Sequence, residues 1–229
     1  MTNPLFYAKI LLFGEYGIIE DSQGLTLPYS FYKGALKFSS LQSDFEKESN
    51  ESLKKYANYL KDLELPDAYT INISALQKDI RKGLFFDSNI PQGYGVGSSG
   101  ALVAAIFERY SIKTYLPEHI SKDELKDLKK IFGQMESYFH GKSSGIDPLI
   151  CYMNLPILIE NKENVNKVSI PQSEEGKGAI FLIDSGITGE TGPMVQIFFE
   201  KMKTEGFRKT MKEEFIRYNT ACIDAFLKK

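Results

Sequence analysis

A glycine-rich stretch at residues 91–100 is the part of the sequence whose composition points most directly to chemistry. It reads Pro-Gln-Gly-Tyr-Gly-Val-Gly-Ser-Ser-Gly and leads into a nearly all-apolar run, which predicts a buried helix over residues 98–110. Glycine backbones let several N–H groups point at one anion, and the start of a helix adds partial positive charge. The stretch therefore predicts a phosphate-binding loop at a helix N-terminus.

Three other glycine motifs fit this loop less well. A dinucleotide fingerprint matches residues 95–100, but the residues near 118, where that motif needs an acid on a strand, lie in a proline-containing connection. A Walker A loop ending at residues 141–143 fails because position 136 is Glu and not Gly. A nucleophile elbow fails because neither serine of the loop is flanked by glycines at the required spacing. A turn that only packs the helix onto a sheet remains an alternative.

Two further segments carry groups that suit phosphoryl chemistry. Lys9 lies within an apolar run that predicts a buried strand over residues 5–13, although a lone lysine there is more often one whose amine reaches water. Glu136 falls on a predicted helix and Asp147 in the loop after it, with His140 between them. The two carboxylates are therefore expected to reach one site, whereas either acid alone is more often a solvated surface residue.

Taken together, these segments resemble the GHMP kinase family, and within it the mevalonate kinases. Residues 8–16 resemble the first family motif, in which a lysine opens a strand that ends in Gly-Glu-His, although here Tyr16 replaces the histidine. Residues 136–147 resemble the segment E-x3-H-G-x-x-S-G-(I/V)-D. The loop resembles the motif P-x3-G-L-G-S-S-A-A, with Val96 and Gly100 as departures and with matches at Pro91, Gly95, Gly97, Ser98, Ser99 and Ala101.

The resemblance implies a role for each matching residue. ATP would be bound by Pro91, Gly93, Gly95, Val96, Gly97, Ser98, Ser99 and Gly100. Mg²⁺ would be held by Glu136 and Ser99, since this cation prefers oxygen ligands. Asp147 would act at the acceptor hydroxyl as base or as orienter. Lys9 would lie beside Asp147, keep its carboxylate ionised and stabilise charge on the transferred group. Substrate contacts are expected from Glu15, Tyr16, His140 and Thr191, with Thr188 as the alternative to Thr191 and a purely structural role equally open for His140.

The resemblance also implies an α+β fold with two domains. Residues 1–165 would form the ATP-binding, ribosomal-protein-S5-domain-2-like domain, and residues 166–229 an incomplete ferredoxin-like domain. GHMP kinases carry a third glycine-rich motif late in the second domain, whereas after residue 192 this sequence has only Gly206. The last strands of the second domain are therefore expected to be missing.

The periodicity of apolar residues predicts the remaining elements. Ser121 and Glu124 form a predicted capping box for one of the helices. Strands are predicted at 68–76, 82–90 and 179–184, a hairpin or short meander at 17–38, helices at 44–63, 122–139 and 193–229, an element at 146–159 broken by Pro148 and Pro156, and a linker or exposed hairpin at 160–178.

Composition limits the class of protein. The formal net charge of -2 and the pI near 5.8 argue against a general nucleic-acid binder. Two cysteines, Cys151 and Cys222, without a CxxC pair make a zinc site improbable and suit a reducing compartment. No signal layout and no apolar stretch of about 18 residues occurs. A soluble cytoplasmic protein is expected, whose partners are a small-molecule substrate and, as an option, a second copy in a homodimer.

The resulting hypothesis is ATP-dependent phosphorylation of the 5-hydroxyl of mevalonate. Three alternatives stay open at this point. The acceptor could instead be phosphomevalonate or a sugar; the chain could be a non-catalytic GHMP-like nucleotide-binding protein; or it could be a dinucleotide-binding oxidoreductase. Because the resemblance preserves a lysine and two acids at the expected positions, the first hypothesis is preferred.

Overall fold

The structure is a computed structural model that describes residues 3–113, 115–171, 182–183, 186, 188–189 and 191–228. Within these ranges the strands are β1 (Phe6–Phe13), β2 (Gly24–Phe38), β3 (Leu84–Ser88), β4 (Ile157–Ile159) and β5 (Val165–Lys167). The α-helices are α1 (Asp44–Lys61), α2 (Ile73–Arg81), α3 (Ser98–Tyr110), α4 (Lys122–His140), α5 (Ile146–Met153), α6 (Thr191–Met202), α7 (Glu205–Thr210) and α8 (Ile216–Leu227). This mixture of helices and strands confirms the predicted α+β class.

The chain forms two compact units that interleave along the sequence. The first comprises Met1–Lys9, Pro28–Pro91 and Gly97–Asn154. The second comprises Ile10–Leu27, Gln92–Val96 and Leu155–Lys229. The predicted division into domains at residue 165 stays a prediction.

The first unit is built around the predicted apolar helix, which is confirmed as α3. This helix contacts both α4 and α5, and α1 contacts α2 and β3. The α3 side chains from Val103 to Phe107 are all buried, because the helix is enclosed on most of its surface. The Ser121–Glu124 capping box is also confirmed and begins α4. The last turns of α4 carry Glu136 and His140, which are four residues apart and therefore lie on one face of the helix.

Two predictions for the strands of this region were wrong. Residues 73–81 form helix α2 and not a strand, because Leu76 and Ile80 lie four residues apart on one buried face and Asn72 caps the first turn. Residues 17–38 contain one long strand after a short 3-10 turn, and not a hairpin. Pro28 is tolerated in β2 because it falls between the segment that pairs with β4 and the segment that pairs with β3.

In the first unit, β2 pairs with β3 in antiparallel register from Gly34↔Ser88 to Phe38↔Leu84. The predicted strand at 82–90 is therefore confirmed as β3. Gly34 has a clear packing reason, since any Cβ at that position would overlap the ring of Phe86. Within this pair, β3 contacts α1, whose predicted span is confirmed.

The second unit combines short antiparallel strands with the C-terminal helices. β2 pairs with β4 from Gly24↔Ile159 to Thr26↔Ile157, and β4 pairs with β5. The hairpin predicted near 160–178 is thus confirmed as far as β5, and residues 172–178 lie outside the described part. The helical pattern from 193 onward is confirmed by α6, α7 and α8. The predicted strand at 179–184 lies outside the described residues except for 182–183, which form no strand.

Candidate active site

The N-terminus of α3 is shaped by Gly97. This residue caps the helix with a φ of 86°, a conformation that favours glycine, and its carbonyl accepts the first helical hydrogen bond from Ala101 N at 2.9 Å. A Cβ at Gly97 would also lie 2.8 Å from Lys9 Cγ. The first-turn N–H groups, including those of Ser98 and Ser99, have no partner within the helix itself, which is the arrangement that binds anions at helix starts.

The remainder of the predicted ATP loop has the backbone of an irregular glycine loop. Gly93 and Gly95 have φ values of 79° and 69°. In the second unit, Gly189 N donates to Gly93 O at 2.9 Å, and Thr188 lies beside Gly93. Thr188 thus contacts the loop, whereas Thr191 begins α6 and its side chain lies outside the described part.

Glu136 is the buried acid of the first unit. Its residue surface is 3% exposed. Ser99 Oγ donates to its Oε1 at 2.9 Å, and Ser143 Oγ donates to its Oε2 at 2.5 Å. A carboxylate removed from water needs such donors, because an unsatisfied buried charge is costly.

The surroundings of Glu136 shift its pKa upward. Burial is the largest cause and the negative charge of Asp147 is the next, and together they raise the pKa of Glu136 to about 7. The hydroxyls of Ser143 and Ser99 and the charge of Lys9 act in the opposite direction. The carboxyl of Glu136 is therefore poised to gain or lose a proton near neutral pH.

Asp147 is paired with Lys9, as the family resemblance implies. Lys9 Nζ lies 2.9 Å from Asp147 Oδ1, and the exposed side-chain fractions are 10% for the lysine and 36% for the acid. Asp147 lies in the first turn of α5, which tolerates Pro148 because a proline there lacks only an N–H that has no helical partner. The element predicted at 146–159 is thus the helix α5 followed by β4.

Two glycines let the loop between α4 and α5 return to α4. Gly145 has a φ of 75°, and a Cβ there would overlap Lys129 O. A Cβ at Gly133 would lie 3.0 Å from Ser143 O. The close approach carries Ser143 to Glu136. The sequence analysis did not identify Gly133 or Ser143 as site residues. For Gly133 a signal was available, because a glycine within a helical pattern often has a packing reason.

Gly100 accounts for one departure from the family motif. A Cβ at this position of α3 would lie 2.7 Å from the backbone carbon of Asp147 and 2.9 Å from Pro148 N. Both atoms belong to the backbone and cannot move aside without moving α5. The glycine therefore permits the contact between α3 and the turn that carries Asp147.

The first unit thus brings together five predicted site residues: Lys9, Ser99, Glu136, His140 and Asp147. His140 Nε2 lies 3.0 Å from Ser99 Oγ. Glu15 and Tyr16 belong to the second unit, where the ring of Tyr16 stacks on Phe198 at a centroid distance of 5.3 Å. Tyr16 therefore has a packing role in that unit.

The oxygen atoms at Glu136 suit a magnesium ion. Glu136 and Ser99 offer a carboxylate and a hydroxyl, and Mg²⁺ typically takes one or two protein oxygens together with water and phosphate oxygens. Among the described residues, no group of three or more His, Cys, Asp or Glu side chains could enclose a metal ion. The donor set fits a cation that arrives with a nucleotide better than one held in a protein cage.

Comparison with known proteins gives a match to one family model over part of the chain and a likeness in fold. The family model "GHMP kinases N terminal domain" matches residues 53–154. A search of curated protein sequences finds no match. Among the described residues, the helices are too short or too polar to cross a membrane.

Solved structures of mevalonate kinases share the fold over the whole chain. The L. major mevalonate kinase in complex with R-mevalonate has a TM-score of 0.61 and 14% identity, with 100% of this chain and 70% of that chain covered. The Methanococcus jannaschii mevalonate kinase has a TM-score of 0.55 and 14% identity, with 100% of this chain and 73% of that chain covered. A third structure, also of a mevalonate kinase, has a TM-score of 0.57 and 16% identity, with 100% of this chain and 74% of that chain covered. At such identities the likeness establishes the fold.

Proposed function

We propose that this chain is a GHMP kinase, since residues 53–154 match the N-terminal domain of that family, and that it transfers the γ-phosphoryl group of ATP to the 5-hydroxyl of mevalonate. One observation carries the proposal. At the N-terminus of α3, the ion pair of Lys9 with Asp147 lies in the same unit as the Ser99–Glu136 hydrogen bond. A cation, a partly exposed acid and a buried acid are thereby gathered beside free helical N–H groups.

The phosphates of ATP would be bound by the loop and the first turn of α3. Positive φ angles at Gly93, Gly95 and Gly97 let the backbone turn its N–H groups inward, as phosphate loops require. The α3 N-terminus adds the partial charge of its dipole. Pro91, Val96, Ser98 and Gly100 complete the proposed nucleotide-binding segment.

Glu136 and Ser99 would hold the Mg²⁺ that accompanies the nucleotide. When bound, such an ion supplies charge neutralisation for the phosphate oxygens. Glu136 must be ionised for this role, and the pKa of about 7 makes that state accessible near neutral pH.

Asp147 and Lys9 would act on the groups that react. Asp147 would accept or orient the proton of the attacking hydroxyl while the new oxygen–phosphorus bond forms and ADP leaves. Lys9, with its amine beside Asp147, would stabilise the negative charge of the transferred phosphoryl group. Positioning and charge compensation of this kind account for most catalysis in phosphoryl transfer.

The choice of mevalonate rests on the segment from His140 to Asp147. His140-Gly141 before Ser-Gly-Ile-Asp favours mevalonate over other acceptors, and the L. major structure of similar fold holds R-mevalonate. Acceptor contacts are proposed for Glu15, Tyr16, His140 and Thr191. A cytoplasmic location and a homodimer stay predictions.

The test is ADP release measured over a panel of acceptors. Mevalonate, phosphomevalonate and a sugar are each added to the protein with MgATP, and phosphorylated products are identified by mass spectrometry. We expect release that depends on mevalonate. Turnover with phosphomevalonate or the sugar would show that the proposed acceptor is wrong while supporting the proposed kinase activity. Nucleotide binding without turnover on any acceptor would instead indicate a non-catalytic binding protein, and quenching of nicotinamide fluorescence would indicate an oxidoreductase.

A further inference from the structure

Ser143 is a partly buried residue in the loop between α4 and α5 that the family motif leaves unspecified. In E-x3-H-G-x-x-S-G-(I/V)-D it occupies the second open position before the Ser-Gly pair. Nothing in its sequence position singles it out, but its hydroxyl touches the buried acid directly. This contact indicates that Ser143 has a function in the site that the family motif does not specify.

The direction of the Ser143 hydroxyl proton follows from its two partners. Gly145 N donates to Ser143 Oγ at 3.0 Å, so this contact uses a lone pair of the hydroxyl oxygen. A serine hydroxyl has one proton to give. When Glu136 is ionised, its carboxylate can only accept, so that proton is given to Glu136 Oε2 at 2.5 Å.

The backbone of Ser143 is also held in place. Its amide donates to Ser137 Oγ at 3.3 Å, and the Ser137 hydroxyl donates to Gly133 O at 2.7 Å. Both partners lie on α4, the helix that carries Glu136. The loop therefore presents its hydroxyl to Glu136 from a fixed point on that helix.

The two oxygens of Glu136 consequently have different neighbours. Oε1 receives the hydrogen bond of Ser99, whose oxygen also lies 3.0 Å from His140 Nε2, and Oε2 receives that of Ser143. Rotation of the carboxylate would break both hydrogen bonds of a residue that is almost fully buried. Ser143 holds the oxygen that faces away from the proposed metal ligand Ser99.

We infer that Ser143 is a positioning residue whose hydroxyl fixes the orientation in which the Glu136 carboxylate, together with Ser99, receives the divalent cation of the nucleotide. This inference rests on the proposed function. Groups that orient a metal ligand without touching the metal typically change metal affinity by about 10–100-fold when removed. Ser143 acts through Glu136 and contacts neither ATP nor the acceptor in this assignment.

The test compares Ser143→Ala with Ser143→Thr, which keeps the hydroxyl. Binding of Mn²⁺ in the presence of ADP is followed by electron paramagnetic resonance, so that no turnover is needed. We expect Ser143→Ala to weaken Mn²⁺ binding about tenfold and Ser143→Thr to stay within about twofold of wild type. Ser74→Ala, which removes an exposed serine of α2, is the matched control and should bind as wild type does.

A second measurement separates orientation from general damage. The Mg²⁺ concentration that gives half-maximal turnover should rise about tenfold in Ser143→Ala, while kcat at saturating Mg²⁺ should largely recover. If Ser143→Ala does not fold, as judged by circular dichroism, Ser143→Cys takes its place, since a thiol keeps the volume but donates weakly. We expect Ser143→Cys to weaken Mn²⁺ binding in the same direction.

The outcomes distinguish this inference from the function on which it rests. If wild type binds Mn²⁺ with ADP and the alanine variant binds it equally well, the role of Ser143 is overturned while the kinase proposal stands. If the threonine variant loses as much affinity as the alanine variant, the hydroxyl is not the cause and the inference is also overturned. If folded wild type binds no Mn²⁺ with ADP, both the proposed function and the inference fail.

Discussion

Glu136 and Asp147 belong to the same unit and have opposite surroundings. Glu136 is 3% exposed and is bound by two neutral hydroxyls. Asp147 has a side chain that is 36% exposed and is paired with the cation of Lys9. The difference comes from the fold, since Glu136 lies within a long helix packed on its neighbours, whereas Asp147 starts a short one.

This difference teaches how one site can assign separate tasks to two identical functional groups. Burial and the charge of Asp147 raise the pKa of Glu136, so this acid benefits from an added cation, which would stabilise its ionised form. Asp147 already has a cation and keeps an open side, where an acceptor hydroxyl has access. The two roles proposed above follow this division, and each can be tested separately.

The largest effect is expected from Asp147→Asn. The amide keeps the shape but cannot take a proton, so kcat with mevalonate should fall about 10³-fold, while the dissociation constant of MgATP changes little. Steady-state kinetics and calorimetric nucleotide titration measure the two quantities. Asp87→Asn removes the acid of the exposed Lys37–Asp87 pair and is the matched control, expected to be neutral. Near-normal turnover of Asp147→Asn would show that the Asp147 carboxylate is not needed for catalysis.

The cation of the same pair gives the next largest effect. Lys9→Met keeps a long apolar stem and removes the amine, so kcat should fall about 10²-fold through loss of one charge-stabilising donor. Lys37→Met supplies the control from the exposed pair. Turnover within threefold of wild type, in a variant that remains folded by circular dichroism, would mean that Lys9 only balances the charge of Asp147.

A steric change sharpens the comparison without altering any charge. Gly100→Ala inserts a Cβ against the backbone of Asp147 and Pro148, which should lower stability by about 1–3 kcal/mol and kcat by about 10-fold or more through displacement of Asp147. Gly206→Ala in α7 is the matched control, since nothing lies within 4 Å of its added Cβ. Thermal unfolding and kinetics are compared for both.

The outcome for Gly100 is informative because alanine favours helices more than glycine does. Helix propensity alone therefore predicts that both variants become more stable. A Gly100→Ala protein as stable and active as the Gly206→Ala protein would show that α5 moves aside freely.

Local sequence patterns predicted the elements that hold the site. The apolar run of α3, the glycines before it and the capping box of α4 are short-range features, and each specifies its own geometry. The pairing of Lys9 with Asp147 is a long-range contact between β1 and α5. Its prediction came from the resemblance to a family and not from any local pattern.

The rest depended on tertiary contacts that no local pattern encodes. Alternation over 68–76 resembled a strand, but the side chains that became buried were those at helical spacing in α2. Ser143 became a partner of Glu136 only because Gly133 and Gly145 let the loop fold back onto α4. A hydroxyl at an unspecified motif position carries no signal until that closure is known.

The smallest effect is expected in the pH dependence of stability, which tests the buried half of the comparison. The pKa of Glu136 is raised in the folded protein, so its contribution to stability is present at low pH and is lost as the pH rises through about 7. Glu136→Gln removes this ionisation, and its amide resembles the protonated acid, since each offers an acceptor oxygen to one serine hydroxyl and a donor to the other. The variant should therefore be about as stable as wild type at about pH 5 and more stable than wild type at about pH 8.5.

The test is the change with pH in the stability difference between variant and wild type, because any pH-independent cost of the amide shifts both points equally. Urea unfolding followed by circular dichroism, without nucleotide or metal, gives the free energy of unfolding at each pH. Glu163→Gln makes the same change at an exposed carboxylate and is the matched control. Parallel curves for Glu136→Gln and wild type would mean that Glu136 is ionised as readily as an exposed acid, and its contrast with Asp147 would then rest on position alone.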